Sequence, residues 1–229
     1  MTTNNEYVEH YLNTSNVFPS VLALKLFMGN NPNFSFKEHE LKGKKILDIG
    51  FGDGRDLYLF NHLNMDVYGV EPDERVVKHT QDKLRKLGFT PKLKTGHNNN
   101  TGLDNNTFDI IYASSSIYYL SSLEDRIIDA LSHCYDILKT DGYFVGSMCR
   151  SDCFVTDEAV KLDENRLILE DPYFKFRKGQ HYHVYNSQDE IRCDLMKCGF
   201  KVVSLSDYDV DWFGSRETLF LFVAQKSDR

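Results

Sequence analysis

The stretch from Lys45 to Leu59, KILDIGFGDGRDLYL, constrains the fold more than any other part of the chain. Ile46, Leu47, Asp48 and Ile49 make a short, mostly apolar run of the kind that becomes a buried strand, and it leads straight into Gly50, Gly52 and Gly54. Arg55 to His62 then reads as a helix. Glycines at such a turn tolerate positive φ and let the backbone approach a ligand closely, while the exposed amides of the helix N-terminus attract negative charge. A nucleotide-like or carboxylate-bearing ligand is expected at this turn, and a tight turn with no ligand is the plainer alternative.

Glycine spacing narrows the choice. A dinucleotide fingerprint, G-x-G-x-x-G counted from Gly50, would put its third glycine where this chain has Arg55, which disfavours a nicotinamide-dependent oxidoreductase. Asp48-Ile49-Gly50-Phe51-Gly52-Asp53-Gly54 instead resembles motif I of the class I S-adenosylmethionine-dependent methyltransferases, an acid followed by G-x-G-x-G. Asp66 to Glu71 reads as a second strand ending in an acid, roughly 20 residues past the turn, which is the spacing of a ribose-binding carboxylate. Glu71 would accept hydrogen bonds from both ribose hydroxyls, with Pro72 opening the next helix over Glu74 to Leu87. A third strand, Pro91 to Thr95, is followed by Gly96-His97-Asn98, where the family usually has Gly-Asp. The adenine amino group then falls to the Asn98 side-chain oxygen or to an unprotonated nitrogen of His97.

Phe108 to Ser114, FDIIYAS, resembles the family's fourth strand and is apolar on both faces, as a central parallel strand should be. Its carboxyl end, with Ala113, Ser114, Tyr118 and Tyr119, belongs at the mouth of the site, because open α/β sheets bind ligands there. Asp125 to Leu138 reads as a helix, and Lys139 to Ser147 resembles the turn and fifth strand of the family. Gly199 to Val203 resembles the turn into a sixth strand, Thr218 to Ala224 an antiparallel last strand, and Tyr208 to Arg216 the loop between them. The fold implied is an α/β Rossmann-like three-layer sandwich with a mostly parallel seven-stranded sheet. One domain spans residues 1–229, with a helical cap over 1–40 and an insertion after the fifth strand, 148–186, as a substrate lid. In the cap, His10, Tyr11 and Phe18 would face the methionine end of the donor.

The insertion gathers Arg150, Arg166, Lys175, Arg177, Lys178, His181 and His183 among Tyr173, Phe174, Phe176, Tyr182 and Tyr185. In a chain of net charge −7 that local cluster suits an anionic group on a substrate, with Arg150, Arg177, Tyr119 and Tyr182 as its contacts. The plainer reading is that KFRKGQHYHVY, residues 175–185, forms a strand pair with one packed and one solvated face. The resemblance implies methyl transfer from S-adenosylmethionine, leaving S-adenosylhomocysteine. His181 or His183 would serve as general base, with Tyr118 beside them, since imidazole titrates near neutrality.

The acidic balance and the lack of an Asn-Pro-Pro-Tyr sequence argue against a nucleic-acid partner. Five cysteines without a C-x-x-C pair suggest neither a disulfide framework nor a metal site. The polar N-terminus and the short apolar runs give no signal for export or a membrane, so a cytoplasmic monomer or homodimer is expected. The expected acceptor is an oxygen or nitrogen of a small polar metabolite, such as a sugar, a nucleotide-linked precursor or a phosphate-bearing compound. The alternatives are a protein or RNA methyltransferase of the same fold and a non-catalytic subunit that binds S-adenosylmethionine.

Overall fold

The computed structural model describes residues 5–13, 17–173 and 175–227. Residues 1–4, 14–16, 174 and 228–229 lie outside that description, and with them Phe174 of the predicted cluster.

Strand β1, Lys45–Ile49, is buried on both faces because its neighbours are covered on both faces: Ile46 belongs to one apolar layer, Leu47 and Ile49 to the other. It pairs in parallel with β2, Asp66–Glu71, and with β4, Phe108–Ala113. Beyond β2 lies β3, Lys92–Thr95, and beyond β4 lies β6, Leu138–Cys149, both parallel to their neighbours. The sheet is completed by β11, Ser215–Lys226, antiparallel to β6 and to the edge strand β10, Phe200–Trp212. The resulting seven-stranded order is β10-β11-β6-β4-β1-β2-β3. Strand order reverses direction between β1 and β4, so the crevice beyond their carboxyl ends is the natural ligand position.

Helices α4, Arg55–His62, and α5, Glu74–Lys86, contribute Leu57, Phe60, Val77 and Leu84 to one layer. Helices α6, Ile127–Ile137, and α7, Gln188–Lys197, contribute Leu131, Cys134, Ile191 and Leu195 to the other. Among the described residues, three short helices precede β1: α1, Asn5–Leu12, α2, Val21–Phe27, and α3, Glu38–Leu41. Within the predicted helical cap, α2 begins only at Val21, because Ser20 is extended and caps it by accepting from the Ala23 amide at 3.2 Å.

Two predicted elements differ. Tyr208 to Arg216 is not a loop but the closing end of a hairpin, with Trp212 opposite Ser215 and only Phe213 and Gly214 between them. Both of those residues have positive φ, 55° and 98°, as a two-residue hairpin turn with the strands' own twist requires. The aspartates that read as loop residues are one face of an alternating strand, and Asp209 holds Arg216 across the ladder at 2.6 Å. Nor is 175–185 a strand pair. Only β9, His181–His183, is extended there, and it joins β5, Tyr119–Leu120, β8, Arg166–Ile168, and β7, Val160–Lys161, in a small sheet ordered β5-β9-β8-β7.

Candidate functional site

Two cavities open at the crevice between β1 and β4. The narrower, about 310 Å³, runs from the end of β2 to the Gly96–Asn98 turn; the wider, about 620 Å³, lies over the glycine turn and the small sheet. Tyr11, Gly50, Ser115 and Tyr119 line both, so the two meet across a shared strip.

Pro72, His97 and Asn98 line the narrower cleft, as predicted. The Asn98 side-chain amide donates to the carbonyls of Ile117 and Tyr119 at 2.8 and 2.6 Å, which fixes the side chain and leaves its oxygen as the remaining polar atom. His97 shares its Nδ1 with the Ser121 hydroxyl at 3.0 Å. Glu71 is fully buried, behind Tyr7 rather than on the wall: the Tyr7 hydroxyl donates to one carboxylate oxygen at 3.0 Å and the Gly52 amide to the other at 3.1 Å. Burial pushes its carboxyl up to about 7, against the pull of those two donors.

The glycine turn is shaped by what lies against it. At Gly52, with φ of 52°, a Cβ would sit 2.5 Å from the Tyr11 ring, so this glycine is what lets α1 close onto the turn. Gly54 does not line either cleft; it caps α4 with φ of 74°, and a Cβ there would meet Thr80 of α5 at 2.6 Å. Asp48 lines the wider cleft, and burial, with Asp56 and Glu71 close by, raises its carboxyl well above the ordinary range. Among the described residues no hydrogen bond reaches the Asp48 carboxylate. Asp56 by contrast is satisfied by the Ser20 amide at 2.7 Å, the Ser20 hydroxyl at 2.9 Å and the Tyr112 hydroxyl at 3.0 Å, which ties α2 to the first turn of α4.

In the wider cleft Tyr118, Tyr119 and Tyr182 form one cluster, with ring centroids of 5.6, 5.1 and 4.3 Å between pairs. Burial holds all three phenols above their ordinary range, so they offer hydroxyl donors rather than bases. Arg177 faces them from the next segment, its guanidinium 4.0 Å over the Phe176 ring and 3.8 Å from Asp171. Burial works against its charge, but the hydroxyl dipoles of Tyr119 and Tyr182 face it and the Asp171 carboxylate pairs with it, so the group stays cationic. Ser114 lines this cleft too, while Ala113 is buried one residue behind it.

Several expected contacts lie elsewhere. Alternation along β9 turns Tyr182 into the wider cleft and His181 and His183 to the opposite face, and neither histidine lines a cleft. His183 is packed 4.6 Å from the Tyr185 ring and pushed by burial down to about 4, so it is a neutral interior group. Arg150 is held by both oxygens of Asp152 at 3.0 and 2.9 Å and stacks 5.3 Å from the Phe220 ring, outside both clefts. Phe18 is exposed, whereas His10 and Tyr11 reach the wider cleft.

A family model described as a methyltransferase domain matches residues 24–205, which is most of the chain and includes the glycine turn, Glu71 and most of the residues that line the two clefts. The chain belongs to that methyltransferase family. The fold is that of a SAM-dependent methyltransferase from Methanosarcina mazei, with a TM-score of 0.66 at 16% identity over 82% of this chain and 94% of the other. It is likewise that of the Burkholderia thailandensis 1,6-didemethyltoxoflavin-N1-methyltransferase, solved with that acceptor and S-adenosylhomocysteine, with a TM-score of 0.59 at 17% identity over 82% and 72%. A protein-L-isoaspartate O-methyltransferase of Christiangramia forsetii is 37% identical over 51 residues, 22% of this chain and 24% of that protein. The chain matches less than half the length of the curated relatives.

As a methyltransferase domain, the chain has cleft-lining residues that its sequence did not reveal. Trp212, Ser215 and Glu217 reach the wider cleft from the β10–β11 hairpin, and Cys153 and Phe154 from the turn after β6. Both groups are far in sequence from the glycine turn, and no local spacing marks them. Among the described residues, no helix of this methyltransferase domain is long and apolar enough to cross a membrane.

Proposed function

We propose that this methyltransferase domain methylates an oxygen or nitrogen of a small metabolite that carries a carboxylate or phosphate. The observation that supports the reading is Arg177, a half-buried cation on the wall of the wider cleft, grouped with three phenols beside the strip shared with the narrower cleft. A guanidinium kept out of water gains most from a planar or tetrahedral anion that it can grip with two N–H groups, and the phenolic hydroxyls supply further donors.

The residues of the narrower cleft, together with Asp48 and the glycine turn on the adjoining wall of the wider one, suit the donor. S-adenosylmethionine supplies a methyl group on a positively charged sulfur. The Asn98 oxygen would accept from the adenine amino group, and Glu71 from the ribose once the Tyr7 hydroxyl gives way. Asp48, a buried acid with a raised carboxyl, would take the amino group of the methionine moiety, whose positive charge restores its ionised form. Donor and acceptor would then meet across Tyr11, Gly50, Ser115 and Tyr119, and holding them in line supplies much of the rate. His10, on the wall of the wider cleft and with its imidazole drawn below the ordinary range by desolvation and by Arg177 nearby, takes the place of His181 and His183 as candidate proton acceptor.

The deciding experiment incubates the purified protein with labelled S-adenosylmethionine and a panel of carboxylate, phosphate and uncharged metabolites, and follows product mass. A gain of one methyl on anionic acceptors supports the reading. Label that appears only on protein or RNA, or equally on uncharged acceptors, defeats it.

A further inference from the structure

The hairpin of β10 and β11 overruns the strand it packs against. Its ladder with β6 ends at Leu219 opposite Cys149, whereas the ladder between its own strands continues to Trp212 opposite Ser215. Paired residues share a side and successive ones alternate, so the overhang has two faces. One face carries Asp207, Asp209, Asp211 and Arg216, and each carboxylate on it has a partner. Arg216 holds Asp209 at 2.6 Å, Arg150 lies 3.7 Å from Asp207, and Asp211 accepts from the Gly214 amide at 2.6 Å. The other face carries Trp212, Ser215, Glu217 and Leu219, all four on the wall of the wider cleft. Glu217 is the one charged residue on that side of the overhang, and among the described residues no ion pair reaches it.

Trp212 is the diagonal neighbour of Glu217 across the ladder, a separation that long side chains span. The indole keeps 52% of its surface exposed, and among the described residues no cation lies over it. A carboxylate beside an uncovered indole offers an ammonium group both an opposite charge and the negative face of a ring. Burial raises the Glu217 carboxyl, and a bound cation would restore its ionised form. The other acids on this cleft have separate duties. Asp56 is held by Ser20 and Tyr112, Asp53 accepts from the Arg55 amide at 3.3 Å, and Asp48 belongs to the proposed donor side. Arg177, on the same cleft, pairs with Asp171 and not with Glu217, so the cavity presents two opposite charges that do not cancel each other.

We propose that Glu217 and Trp212 form an ammonium subsite in the wider cleft, so that the acceptor is a zwitterion: a small amine that also bears the carboxylate or phosphate gripped by Arg177. The proposal rests on reading the wider cleft as the acceptor site and adds the second charge that the acceptor must carry. Glu217 selects in both directions. An acceptor without the amine leaves a half-buried carboxylate with no counter-charge, and one with an anionic group at that end meets like charge. Glu217 is thus a specificity residue, and its loss acts on the KM of the amine-bearing acceptor more than on kcat.

The test titrates the whole protein, loaded with S-adenosylhomocysteine, with the standard amino acids, β-alanine and phosphoethanolamine. Each is set beside two counterparts, one with a hydroxyl in place of the amine and one without the anionic group. Expected is at least one zwitterion that binds roughly tenfold or more tighter than either counterpart, the scale of a hydrogen-bonded charge. Glu217→Gln should collapse its advantage over the hydroxyl counterpart towards one, Glu217→Asp should keep part of it, and Trp212→Phe should keep more than Trp212→Leu. The wild-type comparison stands whether or not a variant folds, and unchanged affinity for S-adenosylhomocysteine marks a variant that has folded. Equal binding of zwitterion and hydroxyl counterpart, or an advantage that survives Glu217→Gln, overturns the ammonium subsite and leaves the anionic reading at Arg177 standing. An amine preference that Glu217→Gln abolishes, but that ignores the anionic group, overturns the zwitterion and locates the failure at Arg177. Absence of binding by every member of the panel overturns both.

Discussion

At the scale of single residues, Glu71 joins the donor cleft to the protonation state of the protein. Its carboxyl titrates near 7 because it is buried, yet accepting from two ribose hydroxyls needs the ionised form. Binding of S-adenosylhomocysteine should therefore release a proton, with affinity rising as pH increases toward about 7 and levelling above it. In Glu71→Gln the slope should vanish and the affinity at neutral pH should drop by about 1.5 to 3 kcal/mol, the range for hydrogen bonds to a charged acceptor. Calorimetry across that interval reads both effects. Arg177 gives a second residue-scale prediction. Its planar group stacks on Phe176 as well as carrying charge, so Arg177→Lys should raise the KM of an anionic acceptor roughly tenfold or more while donor affinity stays unchanged, as steady-state kinetics beside donor titration would show.

At the scale of elements, α1 is the roof of both clefts. Tyr7 holds Glu71, Tyr11 lies against Gly52, and His10 stacks on Phe176 with ring centroids 4.1 Å apart, so the helix and the 175–179 turn close together. If Glu71 takes the ribose as proposed, cofactor entry breaks the Tyr7 contact. Tyr7→Phe removes that hydrogen bond without changing the packing, and stopped-flow fluorescence should show faster association of S-adenosylhomocysteine in the variant. The junction of α2, α4 and β4 depends on Phe60, fully buried 4.9 Å from the Phe27 ring and 5.2 Å from that of Tyr112. Phe60→Ala should cost about 3 to 5 kcal/mol in urea unfolding. Elements also explain which expectations from the sequence held. The turn and α4 are encoded within a dozen residues, so Gly50 to His62 could be read directly. The histidines of β9 could not, because a period of two fixes only that they share a face, and the partners β5 and β8 decide which face is inward.

At the scale of the molecule, the site carries stored electrostatic cost. Glu71 binds its proton more tightly folded than unfolded: the unfolded carboxyl titrates near 4.5 and the folded one near 7. Between those values the folded state retains a proton that the unfolded state has released, so the ligand-free protein should lose stability as pH rises through the window, and no more above it. The loss for this one group is about 3 kcal/mol at most. Urea midpoints at about pH 5 and about pH 7.5 should differ more for the wild type than for Glu71→Gln. S-adenosylhomocysteine should narrow that difference in the wild type, because it binds only the folded state.

The sequence by itself determined the layered α/β fold, the strand, glycine turn and helix at the crevice, the acid closing β2, and the central apolar strand β4. Each is specified by local pattern, since apolar runs, glycines and caps act over a few residues. The tertiary structure alone decided that Tyr7 covers Glu71, that Arg177 turns inward while Asp152 holds Arg150 outside, and that Trp212, Glu217 and Cys153 share a wall with Tyr182. Those outcomes depend on which side chains arrive from distant strands to satisfy a charge or a buried donor, and spacing along one chain does not encode that.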